Sequence, residues 1–174
     1  MKHSVKFGII GGLSAVVITV LFYVTGLNLS SMWGAAISGL LMMVVFGVVA
    51  VMSVKEERAA NGGAITLKSA FVNGFVCLFV GFFISSIYSY IHYNFVEPEF
   101  FDKLAEMLAT KLAEYQVPAD KIEQQVNEIL KKKESISTFD YKSALGGLAF
   151  AAIYSLIVAA ILKKEKMDDY APIS

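Results

Sequence analysis

The segment Asn61-Gly62-Gly63-Ala64-Ile65-Thr66-Leu67-Lys68-Ser69 is one substitution from a phosphate-binding loop, G-x-x-x-x-G-K-[ST], with Leu67 in place of the second glycine. Such a loop cradles phosphates on backbone N–H groups between a strand and a helix. Nothing before Asn61 reads as a soluble strand, Leu67 removes backbone freedom where it is needed, and no acidic residue downstream sits on a Walker-B-like strand. The segment therefore reads as mechanical: Gly62-Gly63 reverses the chain, Thr66 caps the next helix and Lys68 extends its amine toward water. The histidines are His3 and His92, neither with a carboxylate or cysteine at metal-ligand spacing, and His92 beside Tyr93 reads as an interfacial residue. The single cysteine, Cys77, excludes an internal disulfide and a thiol-based metal cluster and reads as a small packing residue. No catalytic, cofactor-binding or metal-ligating set emerges, so the expectation is a non-enzymatic protein without a cofactor. Asn73 is the main polar residue within an apolar run, and a hydrogen bond across to another helix is favoured over a substrate contact.

The elements around these residues follow from where charge is missing. Hydrophobic residues make up 56% of the 174 and charged ones 17%, against about 25% charged in soluble domains. Between Lys6 and Lys55 lie 48 residues without a charge, from Ser69 to Val96 another 28, and from Ser143 to Leu162 another 20. A Lys, Arg or Asp at mid-bilayer costs roughly 2.5–3.5 kcal/mol on insertion scales, and about 20 apolar helical residues cross the hydrocarbon. The first run must therefore divide, at the turn Gly26-Leu27-Asn28-Leu29-Ser30-Ser31. The prediction is an all-α protein: a four-helix transmembrane bundle with spans near 7–27, 32–54, 67–91 and 144–162. Lys2 and Lys6 before the first run resemble the start of a signal peptide, but the run is too long and no A-x-A-like site ends it. The absence of Asp, Glu, Lys and Arg at depth counts against an ion-coupled pump. The zero net charge implies no nucleic-acid partner.

Segment 94–143 predicts two amphipathic helices, an extramembrane insert at about 97–134 between spans three and four. Pro98 with Glu99 and Asp102 marks a helix start, and Val117-Pro118 interrupts the pattern. Glu99/Lys103 and Glu128/Lys132 are i,i+4 pairs. Phe101, Leu104, Leu108 and Leu112 form one apolar stripe, Ile122 and Val126 another. These stripes either pack on each other as a hairpin, lie on the membrane surface, or meet a protein partner. Four spans put both termini on one side, with Lys2, Lys6, Lys55, Arg58, Lys68, Lys163, Lys164 and Lys166, and the positive-inside rule makes that side cytoplasmic. Tyr23, Trp33, Tyr88, Tyr90, Tyr93 and Tyr141 fall at the other end of their spans, as in an aromatic belt.

Small residues set where helices approach in lipid. Gly8 and Gly12 in span one, Cys77, Gly81, Ser85 and Ser89 in span three, and Gly147, Ala151 and Ser155 in span four recur at fourfold spacing. They mark helix-packing faces, favoured within the monomer, with a homo-oligomer as the other use. Several features together resemble the bacterial membrane proteins grouped as domain of unknown function 4199. They are the basic start with Gly11-Gly12, Phe46-Gly47 and Val54-Lys55-Glu56, the Gly62-Gly63 turn leading to Lys68, Ala70, Phe71 and Gly74, and the exit Tyr93 to Phe100. The resemblance implies a small four-span protein of the bacterial inner membrane with an insert before its last span, and it carries no catalytic residues. The leading expectation is that the insert, outside the cytoplasm, engages a partner or the membrane surface. The alternative is a transporter or channel component around a path lined by Asn73, Ser85 and Ser89.

Overall fold

The computed structural model describes residues 2–27, 32–137 and 141–164. Six α-helices occur among them: α1 (Lys2–Thr25), α2 (Met32–Ala60), α3 (Leu67–Ile91), α4 (Phe100–Glu114), α5 (Ala119–Ser137) and α6 (Tyr141–Leu162). A π-helical turn, His92–Val96, prolongs α3. The described residues form no strand, only a single bridge between Ile65 and Lys164. Helices α1, α2, α3 and α6 are long and apolar enough to cross a membrane. The Asn28–Ser31 part of the first turn, and Lys166, lie outside the described residues.

The ends of these helices differ from the sequence expectation for a physical reason. Apolar runs mark the hydrocarbon, whereas a helix continues until something stops it. Thus α2 carries Lys55, Glu56, Glu57 and Arg58, all good helix formers, beyond Val54 to Ala60. It stops where Gly62 and Gly63 take φ of 71° and 87°, with Gly63 N–H donating to the Arg58 carbonyl at 2.9 Å. Thr66 then caps α3, its hydroxyl accepting from Ser69 N–H at 3.2 Å. Ile65, just before the cap, exchanges backbone hydrogen bonds of 2.7 and 2.9 Å with Lys164 past the end of α6. The Gly-Gly turn is therefore tied to the last apolar helix.

α3 lies at the centre and touches α1, α2 and α6. One core joins Phe7, Ala15, Phe46, Val49, Ala50, Cys77, Leu78 and Ala151; a second joins Val54, Ile65, Ala70, Val158 and Ala159. The outward faces stay apolar, with Leu13, Leu40, Phe83 and Ile153 all more than half exposed. A surface of that kind suits lipid, since water would oppose it.

α4 and α5 pack on each other as a hairpin. Its turn places Gln116 at φ 55°, with Val117 N–H donating to the Leu112 carbonyl at 3.0 Å before Pro118. Lys133 Nζ reaches back to Asp102 Oδ2 at 2.6 Å, joining the far ends of the two helices. Glu99 and Lys103 meet at 3.0 Å, whereas Glu128 and Lys132 form no ion pair among the described residues.

Candidate functional site

Two polar clusters lie at opposite ends of the four apolar helices. The first is built on Asn73, one and a half turns into α3. Asn73 is 5% exposed, so its amide must find partners within the protein. Ser53 Oγ donates to Asn73 Oδ1, and Asn73 Nδ2 donates to Glu57 Oε2 at 3.2 Å. Ser53 and Glu57 are four residues apart on α2, hence on one face. Asn73 thus bridges α3 to α2, as the sequence predicts, and it also draws a carboxylate onto the bundle. Ser53 and Glu57 escape a reading of the sequence: one is a single hydroxyl at the end of an apolar run, the other looks like solvated charge.

Beside this network lies a cavity of about 300 Å³, with Ser4, Glu57, Thr66, Lys68, Ser69 and Asn73 in its walls. The near-phosphate loop therefore does border a cavity, through its capping threonine and its lysine. Ser85 and Ser89 do not line it. At the same end Glu56 takes Lys6 Nζ at 3.2 Å and His3 Nδ1 at 3.1 Å, tying the start of α1 to the end of α2.

The second cluster corrects the interfacial reading of His92, which is completely buried. The reason is the π turn: Glu97 N–H donates to the His92 carbonyl at 2.8 Å. Wider π winding puts residues five apart on one face, so His92 Nε2 comes within 3.5 Å of Glu97 Oε2. A search at α-helical spacings misses that carboxylate. Tyr88 Oη lies 3.3 Å from His92 Nδ1. The Tyr23 and Tyr93 rings stand edge-on to the imidazole, with centroids at 5.2 and 5.0 Å. The expected belt is thus partly consumed: Tyr23, Tyr88 and Tyr93 close around His92. The side chains of Trp33 and Tyr141 lie outside the described residues. The Tyr93 ring also packs, tilted, against Phe100 and Phe101 with centroids at 5.0 and 4.9 Å, which anchors the start of α4 to the end of α3. His92 Nε2 and Glu97 Oε2 are both shielded from solvent with no good hydrogen bond among the described residues, so the pair is an enclosed joint. Among the described residues, no group of three or more His, Cys, Asp and Glu could hold a metal ion.

The small residues divide. A methyl added at Gly8 would lie 2.6 Å from the Cys77 carbonyl oxygen, and one at Gly12 would lie 3.0 Å from that of Gly81. One at Gly81 would lie 2.7 Å from the Phe46 ring. These glycines are where α1, α2 and α3 touch. Ala151 and Ser155 are fully buried, Ser155 against Gly74, and Ser85 is half-buried. Gly147 departs from the expectation, because a methyl there would meet nothing within 4 Å among the described residues. Among the described side chains of α6, full burial against the bundle begins one turn later, at Ala151.

In the hairpin Phe101 is buried, and Leu104, Leu108, Leu112, Ile122 and Val126 are half-buried. The two stripes share a helical hairpin, and charged and polar side chains dominate the remaining faces.

A family model described as a protein of unknown function (DUF4199) matches residues 6–164. No curated protein and no solved structure matches the chain.

Proposed function

The chain belongs to the DUF4199 family, and on that premise we propose that it is a non-enzymatic integral protein of the bacterial inner membrane whose α4–α5 hairpin presents a polar surface to a partner protein. In this reading α1, α2, α3 and α6 span the bilayer, both termini are cytoplasmic, and the hairpin stands outside the cytoplasm. One observation carries it: the hairpin is fixed to the bundle rather than tethered. The π turn, the buried His92 and the packing of Tyr93 against Phe100 and Phe101 set its direction. A held surface loses less freedom on association than a loose one. The apolar stripes are used within the hairpin, which favours a polar protein contact over insertion into lipid.

Crosslinking in whole cells tests this, comparing the full chain with a version in which residues 97–134 are replaced by a short glycine-serine linker. The full chain captures a partner that the shortened one loses. An identical set of crosslinks from both rejects the reading.

A transporter or channel component is the second reading, and the Asn73-lined cavity is the observation that favours it. It requires a path that continues past Asn73 to Ser85 and Ser89. Water accessibility of cysteines placed at those two positions, probed in membranes, separates the two readings.

A further inference from the structure

We infer that His92 and Glu97 form a proton-operated latch at the root of the hairpin: the joint is closed while the pair holds one shared proton, and it loosens when a rise in pH removes that proton. The inference concerns how the hairpin is attached. It depends neither on what the hairpin binds nor on which side of the bilayer it stands.

Three shielded side-chain atoms lack a hydrogen bond among the described residues, and two of them face each other here. His92 Nε2 and Glu97 Oε2 lie 3.5 Å apart. His92 is completely buried and the Glu97 side chain is 12% exposed, so water does little to solvate a charge on either. Net charge then ranks the states. With one proton beyond the neutral imidazole the pair is neutral overall, either as imidazolium with carboxylate or as imidazole with carboxylic acid. The facing atoms can form a hydrogen bond in both forms. Groups this close titrate as a pair, so the proton belongs to the joint rather than to one residue. Without that proton the joint encloses a net negative charge, which a site shielded from water tolerates poorly.

The surroundings leave this balance to the pair. From α1, the Tyr23 ring stands edge-on to the imidazole, and from α3, Tyr88 Oη meets Nδ1 at 3.3 Å. Tyr93, inside the turn, is edge-on as well. A phenol carries no charge near neutral pH. From α4, Lys103 lies within electrostatic reach of Glu97 but is held by Glu99 at 3.0 Å. On α5, which packs against the turn, Lys133 is held by Asp102 at 2.6 Å and Glu134 is engaged too. The route from the joint to the hairpin is short. Glu97 N–H closes the π turn on the His92 carbonyl, and Tyr93 in that turn carries the contact with Phe100 and Phe101. Opening the joint frees the turn and, with it, the direction of α4 and α5.

Hydrogen–deuterium exchange of the full chain in detergent tests this, read over residues 92–97 from about pH 5 to pH 9, the range in which imidazole changes charge. An unstructured peptide of the same sequence corrects for the intrinsic rate. An imidazole in water gives up its proton at about pH 6.5. Above that point the closed joint holds one proton more than the opened one, so protection falls as pH rises, by about tenfold per pH unit. Glu97→Gln reverses the sign: an imidazolium facing an amide has no counter-charge, so protection falls as pH falls. Glu97→Gln combined with His92→Gln leaves the joint nothing to titrate, and its profile is flat. A flat profile from the unaltered chain overturns the proposal, as does a fall with rising pH that persists in Glu97→Gln. The same fall at Leu78, deep in the core, would place the effect in the whole bundle and also overturns it. Glu97 stands at the edge of the joint, so its single variant decides the matter even where the double variant fails to fold.

Discussion

At the scale of single residues, contact distance decides what a small side chain is for. Gly81 has Phe46 and the Gly8 carbonyl oxygen at 2.7 and 3.1 Å from where a methyl would sit. Gly81→Ala is therefore expected to destabilise the folded bundle by about 1–3 kcal/mol, as overpacking does. Gly147→Ala, with open space around it, is expected to be neutral or stabilising. Thermal unfolding in detergent, followed by circular dichroism, compares the two; equal losses would show that the spacing of small residues outweighs their contacts. Polar residues divide in the same way. Asn73→Ala takes away the acceptor of the Ser53 hydroxyl and one donor to Glu57 and should cost about 1–3 kcal/mol. Ser155 Oγ is buried with no hydrogen-bond partner among the described residues, so Ser155→Ala removes an unmet group and should cost nothing or stabilise. The same unfolding measurement reads both, and a loss at Ser155 matching that at Asn73 contradicts this assignment. Asn73 was legible in the sequence because an amide stands out in an apolar run. Its partners were not, since a serine and a glutamate on the next helix carry no local sign of facing it.

At the scale of elements, the hairpin depends on aromatic packing far more than on charge. Phe101 is 4% exposed and packs against the Tyr93 ring, so Phe101→Ala is expected to cost about 3–5 kcal/mol and loosen α4 from α3. The Asp102–Lys133 pair is half-exposed, and Asp102→Ala should cost no more than about 1 kcal/mol. Limited proteolysis at the Gln116–Pro118 turn distinguishes them: cleavage rises strongly for Phe101→Ala and barely for Asp102→Ala. Comparable cleavage of the two would place the anchor in the ion pair. Helices α4 and α5 could be read from apolar recurrence and the Val117-Pro118 break. The π turn could not, because i→i+5 winding has no distinctive composition and Pro98 by itself reads as a helix start. The enclosure of His92 follows from that turn and was lost with it.

At the scale of the whole molecule, the orientation in the bilayer is the property on which the partner reading stands. Glu123 is exposed on α5. Glu123→Cys, in a chain whose own thiol is removed by Cys77→Ala, is expected to react with an impermeant thiol reagent in intact spheroplasts. Labelling that requires lysis would reverse the topology and put the hairpin in the cytoplasm. The sequence by itself determined the four apolar helices, the paired helices between the third and fourth, and the role of Gly62-Gly63 and Thr66 as a turn and a cap. Each is written in local composition, because the avoidance of charge over about 20 residues, helical periodicity and glycine at positive φ act within a short stretch of chain. Only the tertiary structure decided that Asn73 recruits Glu57, that Lys68 and Ser4 border one cavity, that Ile65 pairs with Lys164, and that Gly147 stands clear while Gly8 and Gly81 meet. Those are meetings between helices distant in sequence, and the crossing of one helix over another sets them, which a linear pattern of small and apolar residues leaves undetermined.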